Sequence, residues 1–178
     1  DGLEVSLANG HVTNPNLADS DGDGYSDPLE IAHATDPNDN ADFPPFALPL
    51  VINEIMTRNE SGITDGFGSR EDWIEILNPN PVAINLDGYF LTDSAGLPAK
   101  WNFPAVTAPA GGYLLVFASG RNTIDPAGHP HAGFKLESAG EFLAIVRPDG
   151  ATIDDTFSPA FPEQFADISY GPQSTDGA

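Results

Sequence analysis

The chain contains no cysteine. Disulfide staples, thiolate metal sites and thiol nucleophiles are therefore excluded, and thiols carry no information about the compartment. Basic residues are almost as scarce. Arg58, Arg70, Lys100, Arg121, Lys135 and Arg147 stand against 27 acidic residues, for a formal net charge of −21. Six cations spread singly along the chain form no stripe for a phosphate backbone, which argues against DNA, RNA or anionic lipid as partners. No apolar run approaches the roughly 20 residues that span a bilayer, and no signal-peptide pattern is present. The G-x-S-x-G nucleophile elbow is missing too. What remains is substantial: 178 residues, 40% hydrophobic and 10% aromatic, room for one domain plus a smaller module and too apolar for a disordered acidic tail.

The acidic residues are not evenly spread. Asp19 to Glu30 read D-S-D-G-D-G-Y-S-D-P-L-E. Asp19, Asp21 and Asp23 fall at positions 1, 3 and 5 of a 12-residue calcium loop, Gly24 at position 6 where the backbone turns sharply, Tyr25 at position 7 where a backbone carbonyl binds, Asp27 at position 9, and Glu30 at position 12 where both oxygens bind. Calcium takes six to eight oxygens at once, and this spacing folds a short segment around one point. Calcium is the expected cofactor. From Asp19 to Asp42 there are further carboxylates, Asp36, Asp39 and Asp42, and no Lys or Arg. One divalent ion leaves much of that repulsion in place. A second ion is therefore expected, with Asp36, Asn38 and Asp1 or Glu4 as its ligands; the alternative role for Asp36 is to cap the turn at Pro37.

The segment also repeats. Asp1-Gly2-Leu3-Glu4-Val5 parallels Asp27-Pro28-Leu29-Glu30-Ile31, and Thr13-Asn14-Pro15-Asn16 parallels Thr35-Asp36-Pro37-Asn38. Asp1 and Glu4 match positions 9 and 12 of a loop whose earlier ligands would lie upstream, so the chain reads as a piece of a longer protein, with a repeat array ending near Asp42. Between Pro28 and Ala34 two helical turns fit, proline being tolerated at the first helical position. Residues 1–42 resemble thrombospondin type 3 repeats as they occur in bacterial surface proteins. The resemblance implies a calcium-filled rod or spacer, not an enzyme. So few large apolar residues build no core, and metal must supply much of the order. Residues 43–49, F-P-P-F-A-L-P, form a stiff proline-rich linker. Phe43 and Phe46 are candidates to pack on a neighbouring domain.

From 50 to 171 the character changes. Apolar runs of four to seven residues recur at Leu50–Met56, Trp73–Leu77, Val82–Leu86, Tyr89–Thr92, Ala99–Phe103, Tyr113–Ala118, Glu141–Arg147, Thr152–Phe157 and Asp167–Tyr170. Turn signals such as Asp87-Gly88, Gly111-Gly112 and Asp149-Gly150 separate them. Such spacing predicts an all-β sandwich or barrel. The blocks I-N-E-I-M (52–56), E-D-W-I-E-I-L-N (71–78), I-N-L-D-G-Y-F-L-T-D (84–93), W-N-F-P (101–104), P-A-G-G-Y-L (109–114), F-K-L-E-S-A-G-E (134–141), P-D-G (148–150) and S-Y-G (169–171) resemble, in order, the lamin tail domain family. That resemblance implies an immunoglobulin-like (Ig-like) sandwich serving as an accessory and interaction module, in bacteria attached to large exported proteins, with no catalytic residues. Nuclear members are basic in parts; this chain is acidic, so their nucleic-acid role is not carried over. Residues 172–178 are left as a tail.

Other candidate sites point to structure. His129-Pro130-His131 has two imidazoles where a transition-metal site needs three or four ligands, and reads as an ordinary loop. Glu54, Glu71, Asp72 and Glu75 cluster in sequence, but a glycosidase needs two carboxylates across a sugar-sized cleft; Glu54 and Glu75 are expected to accept hydrogen bonds at sheet ends. Gly66-Phe67-Gly68 reads as the loop of the first hairpin. Trp73, Trp101, Tyr89 and Tyr113 are expected in the core, or else form a sugar-stacking platform.

The expectation is thus a mainly β protein: an Ig-like β-sandwich preceded by a small, extended calcium-binding repeat module. Its expected function is non-catalytic: calcium binding and adhesion, docking or spacing within a larger extracellular or cell-surface protein. The expected partners are a protein or polysaccharide and the neighbouring domains of the parent chain. A carbohydrate-binding module beside an extracellular hydrolase is the alternative.

Overall fold

The computed structural model describes residues 10, 12–14, 16–42, 44 and 48–171. Asp1, Glu4, Phe43 and Phe46, and the tail, lie outside the described residues. The chain divides into two compact units, Asp1–Leu48 with Asn80–Val82, and Pro49–Pro79 with Ala83–Ala178.

The first unit holds one short helix, α1 (Asp27–His33), with proline in its first turn as the sequence predicts. It ends where Ala34 turns left-handed at φ 62° and its N–H bonds back to Ile31 O. Among the described residues of this unit, Tyr25 is the one large apolar side chain that is fully buried, while Val12 and Leu17 are exposed. The other buried side chains include Thr13, Asp27, Glu30, Thr35 and Asn80, which are polar or charged.

The second unit is mainly β. Its strands are β1 (Val51–Met56), β2 (Asp72–Leu77), β3 (Ile84–Asn85), β4 (Phe90–Thr92), β5 (Trp101–Asn102), β6 (Thr107–Ala108), β7 (Tyr113–Ala118), β8 (Thr123–Ile124), β9 (Pro130–His131), β10 (Leu143–Val146) and β11 (Ile153–Phe157). A five-stranded sheet runs β1-β2-β7-β9-β8, a four-stranded sheet β11-β10-β4-β5, and β3 pairs with β6. Alternation decides which side is core. Ile52, Ile55, Ile74, Ile76 and Val116 share the inner face of the first sheet and are fully buried. β10 is buried at all four positions, and β1 lies against β10 and β11 of the other sheet. Each such side chain contributes about 1.5–3 kcal/mol on burial. This is the sheet-on-sheet architecture that the run spacing predicts, and it is consistent with the Ig-like sandwich that the family resemblance implies. Among the described residues no helix is long and apolar enough to cross a membrane.

Two expectations need correction. Pro130–His131 is a strand, β9, lying parallel to β7 and antiparallel to β8, rather than plain loop. Two residues flanked by Gly, Pro and His carry too little alternation to read as strand. Conversely, Asp167–Tyr170 forms only a single bridge, Ile55 to Tyr170. Asp167 sits at φ 58° and its carboxylate accepts the N–H groups of Glu60 and Ser61 and the Ser61 hydroxyl, so the run is a hooked turn instead of a strand.

Candidate metal centre

The Asp19–Glu30 loop is built by aspartates folding back onto their own backbone. Asp19 Oδ1 accepts from Gly22 N at 2.7 Å and Oδ2 from Gly24 N at 3.0 Å. Asp21 Oδ1 accepts from Asp23 N at 3.2 Å, and Asp23 Oδ1 from Tyr25 N at 2.8 Å. These bonds hold ligand oxygens of Asp19, Asp21 and Asp23 within 4.8 Å of one another. Gly24 takes φ +99°, the left-handed conformation that position 6 requires.

The remaining oxygens make this more than an acidic turn. Asp21 Oδ2 and Asp23 Oδ2 are buried with no hydrogen-bond partner, and so are both oxygens of Glu30. Glu30 is 0% exposed. Its carboxyl is pushed up to about 7, first by burial and then by the charges of Asp21, Asp23, Asp27 and Asp19. The Asp21 carboxyl is raised as well, chiefly by burial and with Asp23 and Asp19 adding to it, while a bond from the Asp23 N–H opposes. A buried carboxylate without a donor costs several kcal/mol unless a cation meets it. The unpartnered atoms are carboxylate oxygens throughout, without nitrogen or sulfur, so the site suits a hard divalent ion and fits calcium by its chemistry.

The other predicted ligands are placed differently. Both oxygens of Asp27 are engaged by Ser20, Oδ1 by its N–H at 2.7 Å and Oδ2 by its hydroxyl at 2.8 Å. Asp27 thus ties the start of the loop to α1, and a position-9 residue often reaches the ion through a water. Asp36 Oδ1 accepts from Asn38 N at 3.1 Å and Asn38 Nδ2 at 3.4 Å, and Asp36 N donates to Asp42 Oδ2 at 3.2 Å. This is the capped turn at Pro37, and Asp36 and Asn38 stand outside the Asp19, Asp21, Asp23 cluster.

In the second unit the structure assembles a polar network that the sequence does not announce. Ser119 Oγ lies 2.8 Å from His131 Nδ1, and His131 Nε2 lies 3.5 Å from Asp125 Oδ2 and 3.9 Å from Asp65 Oδ2. Burial alone would raise the Asp125 carboxyl; bonds from the N–H groups of Gly66 and His129 and from the rings of His129 and His131 outweigh it and hold it well below the ordinary range. Arg121 reaches Asp65 at 2.8 Å and Glu71 at 3.1 Å. The set has the composition of a nucleophile relay. Yet His131 is 0% exposed, stacked on Phe117 and edged by Phe67, and Ser119 is 6% exposed. The signal that could have found the network is β9 itself: with Pro130–His131 in the sheet, His131 lands opposite Phe117, two residues from Ser119.

The acidic cluster on β1 and β2 is likewise occupied. Glu75 accepts from Asn53 Nδ2 at 2.7 Å, Glu54 from the Ser169 hydroxyl, and Glu71 faces Arg121 and Lys135. Of the four aromatics, Trp101 and Tyr89 are buried as expected. Tyr113 is 53% exposed, and register places it with Trp73, Leu77 and Leu115 on the outer face of the five-stranded sheet.

A family model described as Lamin Tail Domain matches residues 47–159. No curated protein and no solved structure matches the chain.

Proposed function

Since the chain belongs to the lamin tail domain family, we propose that it is a non-catalytic, calcium-binding interaction or spacer module of a larger exported protein. The observation that carries the calcium reading is Glu30, fully buried, with neither oxygen partnered, beside three clustered aspartates. Asp19, Asp21, Asp23 and Glu30 would hold the ion, with the Tyr25 carbonyl at position 7 and Asp27 bracing the loop. The resemblance of residues 1–42 to thrombospondin type 3 repeats supports the same reading, and so does the net charge of −21, which repels phosphate and attracts divalent cations. Extracellular modules bind calcium in the 10⁻⁴–10⁻³ M range, so a cell-surface or secreted parent suits such a site. Isothermal calorimetry tests it: the chain takes up calcium at millimolar concentration and Glu30→Gln does not. Uptake that survives Glu30→Gln unchanged would move the site elsewhere.

A second reading, a carbohydrate-binding module, is favoured by one observation, the outer-face group of Tyr113, Trp73, Leu77 and Leu115. Its test is a polysaccharide array: retention lost in both Trp73→Ala and Tyr113→Ala supports it, and no retention by the wild type removes it.

A further inference from the structure

Three residues far along the chain lie in the same compact unit as the metal loop. Asn80–Val82 belongs with Asp1–Leu48. At position 6 of the loop, a Cβ added to Gly24 would sit 2.6 Å from Pro81 Cβ and 2.9 Å from Pro81 Cγ. The sharp turn of the loop is therefore pressed directly on the Pro81 ring. Gly22 makes the contrast: it too has a positive φ, +77°, but a Cβ there would meet nothing within 4 Å. Gly22 answers a backbone requirement alone, whereas Gly24 answers that requirement and a close approach.

At position 7 the contact continues. The Tyr25 hydroxyl lies 3.4 Å from Asn80 Oδ1. The same Asn80 oxygen accepts from Leu48 N at 2.9 Å, and Asn80 Nδ2 donates to Leu48 O at 2.9 Å. Asn80 is fully buried, and Tyr25 almost so. Tyr25 N is itself held by Asp23 Oδ1, so the residue that offers position 7 is fixed from the aspartate side and from the Asn80 side.

We infer that Asn80 and Pro81, neither of them a ligand, are positioning residues of the calcium site, a seat that holds Gly24 and Tyr25 in the binding geometry. This rests on the calcium reading above. A 12-residue loop without a core of its own has to be ordered when the ion binds, and any contact that orders it beforehand raises affinity. Linkage runs both ways: the ion must stabilise the seat by the same factor that the seat strengthens the ion.

The experiment uses the full chain. Calcium binding is measured by calorimetry, and terbium luminescence sensitised by Tyr25 reports the ion beside position 7. Asn80→Ala is expected to raise the calcium Kd about tenfold, within the usual range of coupling between sites, and Pro81→Gly about threefold, just below that range. Tyr25→Phe, which keeps the ring, is expected to weaken binding in the wild type and to add nothing in Asn80→Ala, as coupled partners do. Calcium loading of the wild type should also slow amide exchange at Asn80 and Val82. The thermal unfolding of the sandwich serves as the folding control. Wild type that binds calcium while Asn80→Ala binds within twofold of it would overturn the seat and leave the site standing. Wild type that takes up no calcium would overturn the site, and the seat with it.

Discussion

The two units solve the same problem with opposite materials. In the second, isoleucines alternate into the space between two sheets, and the fold is held by apolar area removed from water. In the first, the described interior consists of Tyr25, Pro37, Pro44 and a set of carboxylates, hydroxyls and amides, and the organising bonds run from backbone N–H groups to aspartate oxygens. A hydrophobic interior stabilises itself as it forms. An interior that gathers Asp19, Asp21, Asp23 and Glu30 is self-repelling until a cation enters. The stability of one unit should follow the calcium concentration and that of the other should ignore it.

Removing calcium is the largest perturbation of that contrast. With chelator, residues 10–42 are expected to become protease-sensitive and lose their amide protection, while β1, β2, β7 and β10 keep theirs. The two-unit picture breaks if chelation unfolds both in one cooperative transition, because then they would share one core. Limited proteolysis and hydrogen exchange read the difference directly.

The reverse perturbation is a cavity in the sandwich. Ile76 is 0% exposed on the inner face of β2. Ile76→Ala is expected to cost about 2–5 kcal/mol of sandwich stability, the range for a buried large-to-alanine change. Its chemical denaturation midpoint should fall by the same amount with or without calcium.

How much of this was legible in the sequence also divides by region. The long strands were legible because each carries an alternating or continuous apolar run bounded by turn signals: β1, β2, β7, β10 and β11 coincide with predicted runs. β6, β8 and β9 were not, since two residues carry no period. The clustering of Asp19, Asp21 and Asp23 was legible because carboxylate spacing along a tight turn is a local property. Asp27 was placed in the right loop, but the sequence could not show that Ser20 engages both its oxygens. The Ser119–His131–Asp125 network and the Asn80–Pro81 seat depend on long-range register and on chain return, which no local pattern encodes.

A smaller test sharpens the role of Asp27. Ser20→Ala deletes the hydroxyl that donates to Asp27 Oδ2 at 2.8 Å. A hydrogen bond to a charged group is worth about 1.5–3 kcal/mol, and the retained Ser20 N–H covers part of that loss. Calcium affinity should weaken by about three- to tenfold, tenfold being about 1.4 kcal/mol. The sandwich should melt unchanged. An unaltered calorimetric Kd would show that the brace is idle.

The subtlest expected effect is a pH dependence confined to the second unit. Asp72, at the start of β2, has its carboxyl pushed up to about 7, first by burial; Lys135 and a bond from the Leu136 N–H work against that rise, and Glu71 and Glu137 add to it. A folded-state value above the unfolded one means that the folded chain holds the proton more tightly. This contribution is fully present below the unfolded value of 3.8 and is lost as pH climbs through about 7. The side chain is only half-buried, so solvent screening reduces the effect to on the order of 1 kcal/mol across that window. Asp72→Asn keeps the shape and removes the titration. Denaturant unfolding of the sandwich at pH 5 and pH 8 should therefore differ less in Asp72→Asn than in the wild type, with the variant the more stable of the two at pH 8. Identical pH dependence in both chains would mean that Asp72 stays ionised in the folded sandwich, held by Lys135 instead of neutralised by burial.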